Sequence, residues 1–283
     1  MSIKTAMRLI VVDFDETITK KDTLSQLASL AYRQKPQFPV KFRHYQDVYY
    51  KHYSNYVAGH EYLGGKQCPS LKDLFSQELL YQQGMYPVEM SSIDEIVSTG
   101  LFKGLESRNL DSLKIPIREG FSLFANECYR QSIPIYVLSI TWSARFVKSV
   151  LLNNGVAPNA TVVISNELEF SEDGTTCTGG FQVGNVRTGY DKLQRLTEIL
   201  AKNPSLPSLY IGDSRTDLLA SLKCDARVFM EKDNNSLLES LSKSTSLEIE
   251  PLSDKLQKNE NIIYTAKDFV KLNHLLFSGG SDG

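Results

Sequence analysis

An apolar tetrapeptide that runs directly into two aspartates is the feature that most constrains the fold. Residues 9–12 read Leu-Ile-Val-Val, and Asp13 and Asp15 follow. The run is short and lacks helical spacing, so it predicts a buried parallel strand. Ligands bind beyond the carboxyl ends of strands in open α/β sheets, which places Asp13 and Asp15 where chemistry takes place. Two carboxylates this close repel each other unless one is protonated or a cation lies between them, and oxygen ligands of this kind favour Mg²⁺.

Further apolar runs, each followed by helical spacing, predict the other strands of the sheet. They cover residues 133–139, 161–165, 208–213 and 227–230, and a last strand begins at residue 262. Residues 167–187 alternate and predict a β-hairpin, whereas the polar residues 244–260 predict a loop. Because strands and helices alternate along the chain, the pattern indicates an α/β fold with a parallel sheet and right-handed crossovers.

The segment between the first and second strands has a different pattern from the rest of the chain. Strand-like alternation of apolar and polar residues is absent there, and apolar residues recur with the spacing of a helix. Its first helix is predicted to begin at Asp22, which we interpret as the N-cap or as a contact for a cationic substrate. Another helix is predicted to begin at Ser91. We predict that residues 22–110 form a helical insertion in a core made of residues 1–21 and 111–283. Tyrosines near one helical face of this insertion pack within it or form a wall on which a ligand stacks: Tyr45, Tyr49, Tyr53 and Tyr56.

Charge and cysteine content exclude several classes of protein. The 31 basic and 33 acidic residues are mixed along the chain, so we expect neither a nucleic-acid nor a membrane partner. The four cysteines are scattered, which favours reduced thiols over a disulfide framework or a zinc site. No apolar stretch predicts a signal peptide or a membrane span. We therefore expect a cytoplasmic protein, with the nucleus as the alternative, that acts as a monomer or homodimer on a small molecule.

Residues at later strand ends and helix starts complete a chemical set with the first two aspartates: Ser139, Lys192, Asp213 and Asp217. Carboxylates from two strands make a hard, oxygen-rich cation site. A hydroxyl beside main-chain N–H groups suits phosphate oxygens, and a lysine neutralises negative charge. Each residue alone is equally typical of a strand end, a helix cap or a solvated surface, but their conjunction predicts phosphoryl transfer through an aspartyl-phosphate.

These motifs resemble those of the haloacid-dehalogenase-like (HAD) superfamily. The D-x-D-x-T motif of the superfamily is Asp13 to Thr17, its strand ending in a hydroxyl is Val137 to Ser139, and its lysine is Lys192. Its acidic motif is Gly212 to Asp217, whereas Glu16 departs from the glycine of many relatives. The insertion is similar to the helical C1 cap of the phosphoserine-phosphatase-like branch. The resemblance implies a three-layer Rossmann-like parallel sheet with an inserted α-helical cap.

The resemblance also implies catalytic roles. Asp13 is expected to be the nucleophile that takes the phosphoryl group. Asp15 is expected to be the general acid for the leaving alcohol and the base for the hydrolytic water. Lys192 is expected to pair with Asp13 and the phosphate, while Thr17 and Ser139 hold phosphate oxygens.

The implied cofactor is Mg²⁺, and the resemblance assigns its ligands. Asp13, the main-chain carbonyl of Asp15 and the side chain of Asp213 are expected to bind the ion, with Asp217 supporting the site. Trp142 follows the phosphate-binding Ser139 and is interpreted either as a stacking partner for an aromatic substrate or as a packing residue.

A closer likeness narrows the expected function. Residues 137–143, 165–170 and 210–214 are similar to the phosphatase domain of plant thiamine monophosphate phosphatase. We therefore expect a Mg²⁺-dependent phosphatase for a small phosphorylated metabolite, with thiamine monophosphate or a similar aromatic phosphomonoester as the favoured substrate. The alternatives are a phosphoserine-type phosphatase, phosphotransfer to an acceptor other than water, and a non-catalytic phosphometabolite-binding protein that retains the HAD fold.

Overall fold

A seven-stranded parallel sheet forms the centre of the protein. The computed structural model describes residues 7–60, 68, 70–184, 186–234, 236–254 and 256–277. The strands lie in the order β3-β2-β1-β6-β7-β9-β8, and all their pairings are parallel. Their bounds are β1 Leu9–Val12, β2 Ile135–Leu138, β3 Val162–Ile164, β6 Ser208–Gly212, β7 Ala226–Met230, β8 Glu248–Pro251 and β9 Ile262–Ala266. The predicted α/β fold class is confirmed.

Both faces of the sheet are covered, which explains the unbroken apolar run at its centre. All four residues of β1 are buried. Ile10 and Val12 belong to one hydrophobic cluster, and Leu9 and Val11 belong to another on the opposite face. Because each face needs apolar side chains, β1 cannot alternate between apolar and polar residues.

Helices cover the sheet and fill the segment between β1 and β2. Among the described residues, none of them combines the length and apolarity that crossing a membrane requires. The helices are α1 Leu24–Gln34, α2 Phe42–Ala58, α3 Leu71–Gly84, α4 Tyr86–Thr99, α5 Ser107–Asp111, α6 Phe121–Arg130, α7 Ala144–Asn153, α8 Gly189–Lys202, α9 Arg215–Ser221, α10 Ser236–Ser244 and α11 Val270–Phe277.

The predicted hairpin is present, and the division into core and insertion stays a prediction. Strands β4 (Leu168–Phe170) and β5 (Cys177–Phe181) pair antiparallel, apart from the main sheet. Helices α1 to α5 all lie between β1 and α6 in the chain. Residues 1–6 and 278–283, which were predicted to belong to the core, lie outside the described residues.

Three local predictions are wrong. The helix expected to begin at Ser91 begins at Tyr86, because Pro87 fits the first turn of a helix and does not interrupt it. Thr23 rather than Asp22 is the N-cap residue of α1, although the carboxylate of Asp22 accepts a hydrogen bond from the main-chain N–H of Leu24. The polar segment 244–260 contains β8, which lies at the edge of the sheet and is partly exposed, so its side chains need not be apolar.

Candidate active site

The carboxyl ends of β1 and β6 meet at a cavity of about 500 Å³. These strands are neighbours, and the N–H of Asp13 donates to the carbonyl of Ile211 across them. Asp13, Asp15 and Asp213 therefore line the same cavity, although about 200 residues separate the last from the others. Carboxylate oxygens of Asp13, Asp213 and Asp217 lie within 4.8 Å of one another. The structure thus brings together the acidic residues that the sequence placed at strand ends.

Lys192 lies between two of these carboxylates. Its Nζ is 2.7 Å from Oδ1 of Asp13 and 2.7 Å from Oδ1 of Asp217, and its side chain is fully buried. The residue belongs to the first turns of α8, whose N-terminus is closed by a capping box between Thr188 and Asp191. Burial alone lowers the pKa of Lys192, but the two carboxylates outweigh that effect and raise the pKa above its usual value. The ammonium is therefore charged throughout the physiological pH range.

The carboxylate of Asp217 accepts hydrogen bonds at both of its oxygens. Its Oδ1 accepts from Lys192 and from the Tyr210 hydroxyl, and its Oδ2 accepts from the main-chain N–H groups of Asp213 and Ser214. Burial alone would raise the pKa of Asp217, but Lys192 and these hydrogen bonds hold it below the usual value. This carboxylate fixes the loop that carries Asp213, and its predicted role as support for a metal site stays a prediction.

Asp13 and Asp213 are carboxylates that are repelled by the other negative charges of the site. Burial and the neighbouring carboxylates raise the pKa of both, while Lys192 partly offsets the effect at Asp13 and Lys232 at Asp213. Oδ1 of Asp213 accepts from the Thr17 hydroxyl at 2.8 Å, and Oδ2 is in contact with the ammonium of Lys232. A buried, all-oxygen donor set with mutual repulsion fits a hard divalent cation such as Mg²⁺, which Asp13 and Asp213 would hold.

Thr17 lies beside Asp213, the expected metal ligand. It is fully buried, and its hydroxyl donates to Asp213. The observed contact orients a carboxylate, and a contact of Thr17 with phosphate stays a prediction. Glu16, beside it, has a φ of 57°, a conformation that usually favours glycine. The guanidinium of Arg118 donates to the Glu16 carbonyl at 2.9 Å, and Lys232 pairs with the Glu16 carboxylate at 2.7 Å, so the turn is held without glycine.

Asp15 also lines the cavity, and its carboxylate faces hydroxyl groups. Its Oδ1 accepts from the N–H and the hydroxyl of Thr23, at 2.8 Å and 2.5 Å, and its Oδ2 accepts from the Thr141 hydroxyl. Burial raises the pKa of Asp15 to about 6. Ser139 is buried at the cavity wall, and its hydroxyl donates to Thr141 at 3.0 Å. The structure therefore joins Asp15 and Ser139 through Thr141.

Aromatic rings form much of the remaining cavity wall. Trp142 lines the cavity and packs edge-on against Phe102 and Phe181, and its role as a stacking partner for an aromatic substrate stays a prediction. Asp22 also lines the cavity. Of the four tyrosines singled out in the sequence, Tyr45 and Tyr49 line the cavity, and Tyr49 also packs with Tyr53 and Tyr56 against a cluster that contains Tyr81.

Sequence reasoning missed four cavity or site residues: Glu89, Thr141, Arg187 and Lys232. Lys232 and Thr141 each lie within three residues of the end of a strand, so the same strand-end rule could have found them. Glu89 lies inside an ordinary amphipathic helix, where no local signal separates it from a surface residue. Burial raises the pKa of Glu89 to about 7, and the Tyr49 hydroxyl donates to it at 3.1 Å.

Comparisons with known proteins agree with the motifs. A family model described as haloacid dehalogenase-like hydrolase matches residues 10–221. Cold tolerance protein 1 of Saccharomyces cerevisiae is 30% identical over 246 residues, which cover 76% of this chain and 75% of that protein. A CTO1 family protein of Schizosaccharomyces pombe is 29% identical over 282 residues, which cover 93% of this chain and 97% of the relative. The predicted superfamily resemblance is confirmed.

Solved structures with similar folds have low sequence identity. A phosphoserine phosphohydrolase-like protein from Francisella tularensis aligns with a TM-score of 0.53 and 12% identity, covering 96% of this chain and 100% of its own. A HAD family hydrolase from Salmonella enterica serovar Typhi aligns with a TM-score of 0.54 and 13% identity, covering 96% of this chain and 71% of its own. These structural similarities show the fold alone. The likeness to thiamine monophosphate phosphatase stays a prediction.

Proposed function

The chain belongs to the haloacid dehalogenase-like hydrolase family, and we propose that it is a Mg²⁺-dependent phosphatase acting on a small phosphomonoester through an aspartyl-phosphate. The observation that carries the proposal is the environment of Asp13. This carboxylate lines the cavity, is paired with the buried ammonium of Lys192, and lies within 4.8 Å of an Asp213 oxygen. The candidate nucleophile Asp13, the positive charge of Lys192 and the candidate cation ligand Asp213 therefore lie next to one another.

In the proposed first step, Asp13 attacks phosphorus and the bond from phosphorus to the ester oxygen breaks. Lys192 occupies Oδ1 of Asp13 and holds the side chain in one orientation, which leaves Oδ2 for the attack. Asp15 supplies the proton that the leaving alkoxide needs, and its pKa of about 6 suits a general acid near neutral pH. A halide would leave without a proton, so Asp15 favours phosphate over halide chemistry.

In the proposed second step, water attacks the phosphoryl group and releases Asp13. Asp15, now ionised, accepts the proton of that water and returns to its starting state. Ser139, at the cavity wall, offers a hydroxyl to the phosphate oxygens throughout. When bound between Asp13 and Asp213, Mg²⁺ would neutralise charge on the phosphoryl group.

For the substrate, we propose thiamine monophosphate or a similar aromatic phosphomonoester, with phosphoserine as the alternative. The cavity volume suits a metabolite-sized ligand. Trp142, Tyr45 and Tyr49 supply aromatic surface on which a ring can stack. A screen of phosphorylated metabolites that includes both candidates tests this finer proposal.

The variant Asp13→Asn tests the mechanism. We expect it to abolish release of inorganic phosphate from an aryl phosphate in the presence of Mg²⁺, while its melting temperature shows that the chain still folds. Asp47→Asn, in which an exposed carboxylate on α2 is changed, is the matched control and should retain full activity. Phosphate release that persists in Asp13→Asn would exclude the aspartyl-phosphate. An inactive wild-type chain that still binds phosphate esters would favour the non-catalytic alternative.

A further inference from the structure

Arg187 is a buried cation that the proposed chemistry does not use. It lies directly before the N-cap of α8, and its main-chain N–H donates to Asp191 at 2.8 Å. Its side chain lines the cavity, yet only 3% of the residue is exposed. The guanidinium carbon lies 4.8 Å from the centre of the Phe181 ring, which supports one face of the group and leaves its N–H edges free.

The guanidinium has no hydrogen-bond partner. Among the residues that the structure describes, none accepts from Nε, Nη1 or Nη2 of Arg187. The contrast with Arg227 is informative, because that buried guanidinium donates to the carbonyls of Glu260 and Cys224. Buried polar groups are nearly always satisfied, and an unsatisfied buried cation is costly. Arg187 therefore has the properties of a group whose partner is a ligand.

The surroundings of the Arg187 guanidinium differ from those of the Lys192 ammonium. Burial lowers the pKa of Arg187 to about 10, and the nearby groups that partly oppose this shift are Tyr86, Glu89 and Asp94 of α4 and Asp191 of α8. Glu89 is the member of this group that also lines the cavity. Phe181, which supports the guanidinium, belongs to β5, and β5 packs against α4, whereas the ammonium of Lys192 contacts Asp13 at the strand ends.

We propose that Arg187 determines specificity by binding a second oxyanion of the substrate, remote from the phosphoryl group. A planar guanidinium matches two oxygens of a carboxylate or phosphate with parallel N–H···O bonds. This inference rests on the proposed function, because it assumes that the phosphoryl group lies at Asp13. Among the substrates proposed above, it selects phosphoserine or an aromatic phosphomonoester that carries a second oxyanion. The binding test below therefore decides between these substrates and thiamine monophosphate, which carries none.

Three non-hydrolysable ligands test the inference by calorimetry in the presence of Mg²⁺: benzylphosphonate, (4-carboxybenzyl)phosphonate and the bisphosphonate of p-xylene. They share a phosphonate and a ring, and they differ in the remote group. We expect wild-type protein to bind at least one oxyanion-bearing ligand about 10- to 100-fold more tightly than benzylphosphonate, as a charge-assisted pair predicts. If (4-carboxybenzyl)phosphonate binds more tightly than the bisphosphonate, the second oxyanion of the substrate is a carboxylate. If the bisphosphonate binds more tightly, the second oxyanion is a phosphate.

The variant Arg187→Gln should lose this gain and bind all three ligands with the affinity of benzylphosphonate. Arg43→Gln, which removes an exposed positive charge on α2, is the charge-matched control and should keep the gain. Equal binding of the three ligands by wild-type protein would overturn the inference and leave the phosphatase proposal intact. A uniform loss of affinity in Arg187→Gln would assign the residue a structural role instead. If none of the ligands binds, the proposed function fails as well.

Discussion

Replacing Lys192 by methionine tests the electrostatic argument on which the site depends. Methionine has a similar length and fills the same buried space, so the change removes a charge and leaves the packing nearly intact. The ammonium lies 2.7 Å from oxygens of both Asp13 and Asp217, with none of its side chain exposed. The variant therefore leaves two carboxylates buried without their shared cation, beside a third from Asp213.

The expected loss of stability is large. Breaking a buried ion pair by removing one partner costs about 3–5 kcal/mol. The loss depends on pH, because without Lys192 the folded-state pKa of Asp13, which is already raised, rises further and that of Asp217 loses the main charge that lowers it. Groups with a raised pKa destabilise the folded state as they ionise, so the deficit is largest at pH 7 and shrinks towards pH 4. The wild-type ammonium, whose own pKa is raised, stays charged over this range.

Urea unfolding in metal-free buffer measures the effect, and the single tryptophan, buried Trp142, provides a fluorescence signal from the cavity wall. Lys202→Met, at the exposed end of the same helix, is the matched control and should change the free energy of unfolding by less than about 0.5 kcal/mol. The double variant Lys192→Met/Asp217→Asn should recover part of the loss, because it buries one charge fewer.

The reasoning is refuted if the free energies of unfolding of Lys192→Met and wild type differ by less than about 1 kcal/mol at pH 7, since that difference is well below the cost of an unpaired buried charge. It is also refuted if the deficit is the same at pH 4 and pH 7, because the loss would then come from packing and not from charge.

Two further predictions concern other parts of the cavity and its frame. Burial raises the pKa of Glu89 to about 7 from its usual 4.5, so the folded state holds this proton more tightly and wild-type stability falls as pH rises between those values. Glu89→Gln should therefore raise the free energy of unfolding by about 1–3 kcal/mol at pH 8 and leave it unchanged at pH 4, and equal urea midpoints at pH 8 would contradict this. Gly212→Ala should destabilise the protein by about 1–3 kcal/mol, because the added Cβ would lie 2.5 Å from Cγ of Asp217. Gly59→Ala, whose nearest neighbour would be a carbonyl oxygen at 3.6 Å, is the control, and equal melting temperatures of the two variants would refute the steric argument.

The strand-end residues were predictable because a local pattern reports them. A strand buried on both faces reads as a short apolar run, and the first polar residue after it marks the edge of the sheet. This rule placed Asp13 and Asp213 correctly on neighbouring strand ends. It failed for β8, because a partly exposed edge strand can be built from polar residues.

Contacts between distant parts of the chain were beyond the reach of such local patterns, and only the family resemblance implied the pairing of Lys192 with Asp13. Lys192 meets Asp13 across 179 residues, and Thr17 meets Asp213 across 196. The resemblance implied a phosphate contact for Thr17, but the motif does not report the direction of its hydroxyl. The direction depends on which carboxylate the packed sheet brings beside it.

The sequence by itself determined the α/β class, the family and the order in which the acidic residues arrive at the sheet edge, because these follow from periodicity and motif. Tertiary structure alone decided how charge is distributed within the site. Burial raises the pKa of Asp15, whereas at Asp217 Lys192 and hydrogen bonds outweigh burial and lower the pKa, although both are ordinary aspartates in the sequence. The same packing leaves the guanidinium of Arg187 inside the cavity without a partner among the described residues, which no linear pattern records.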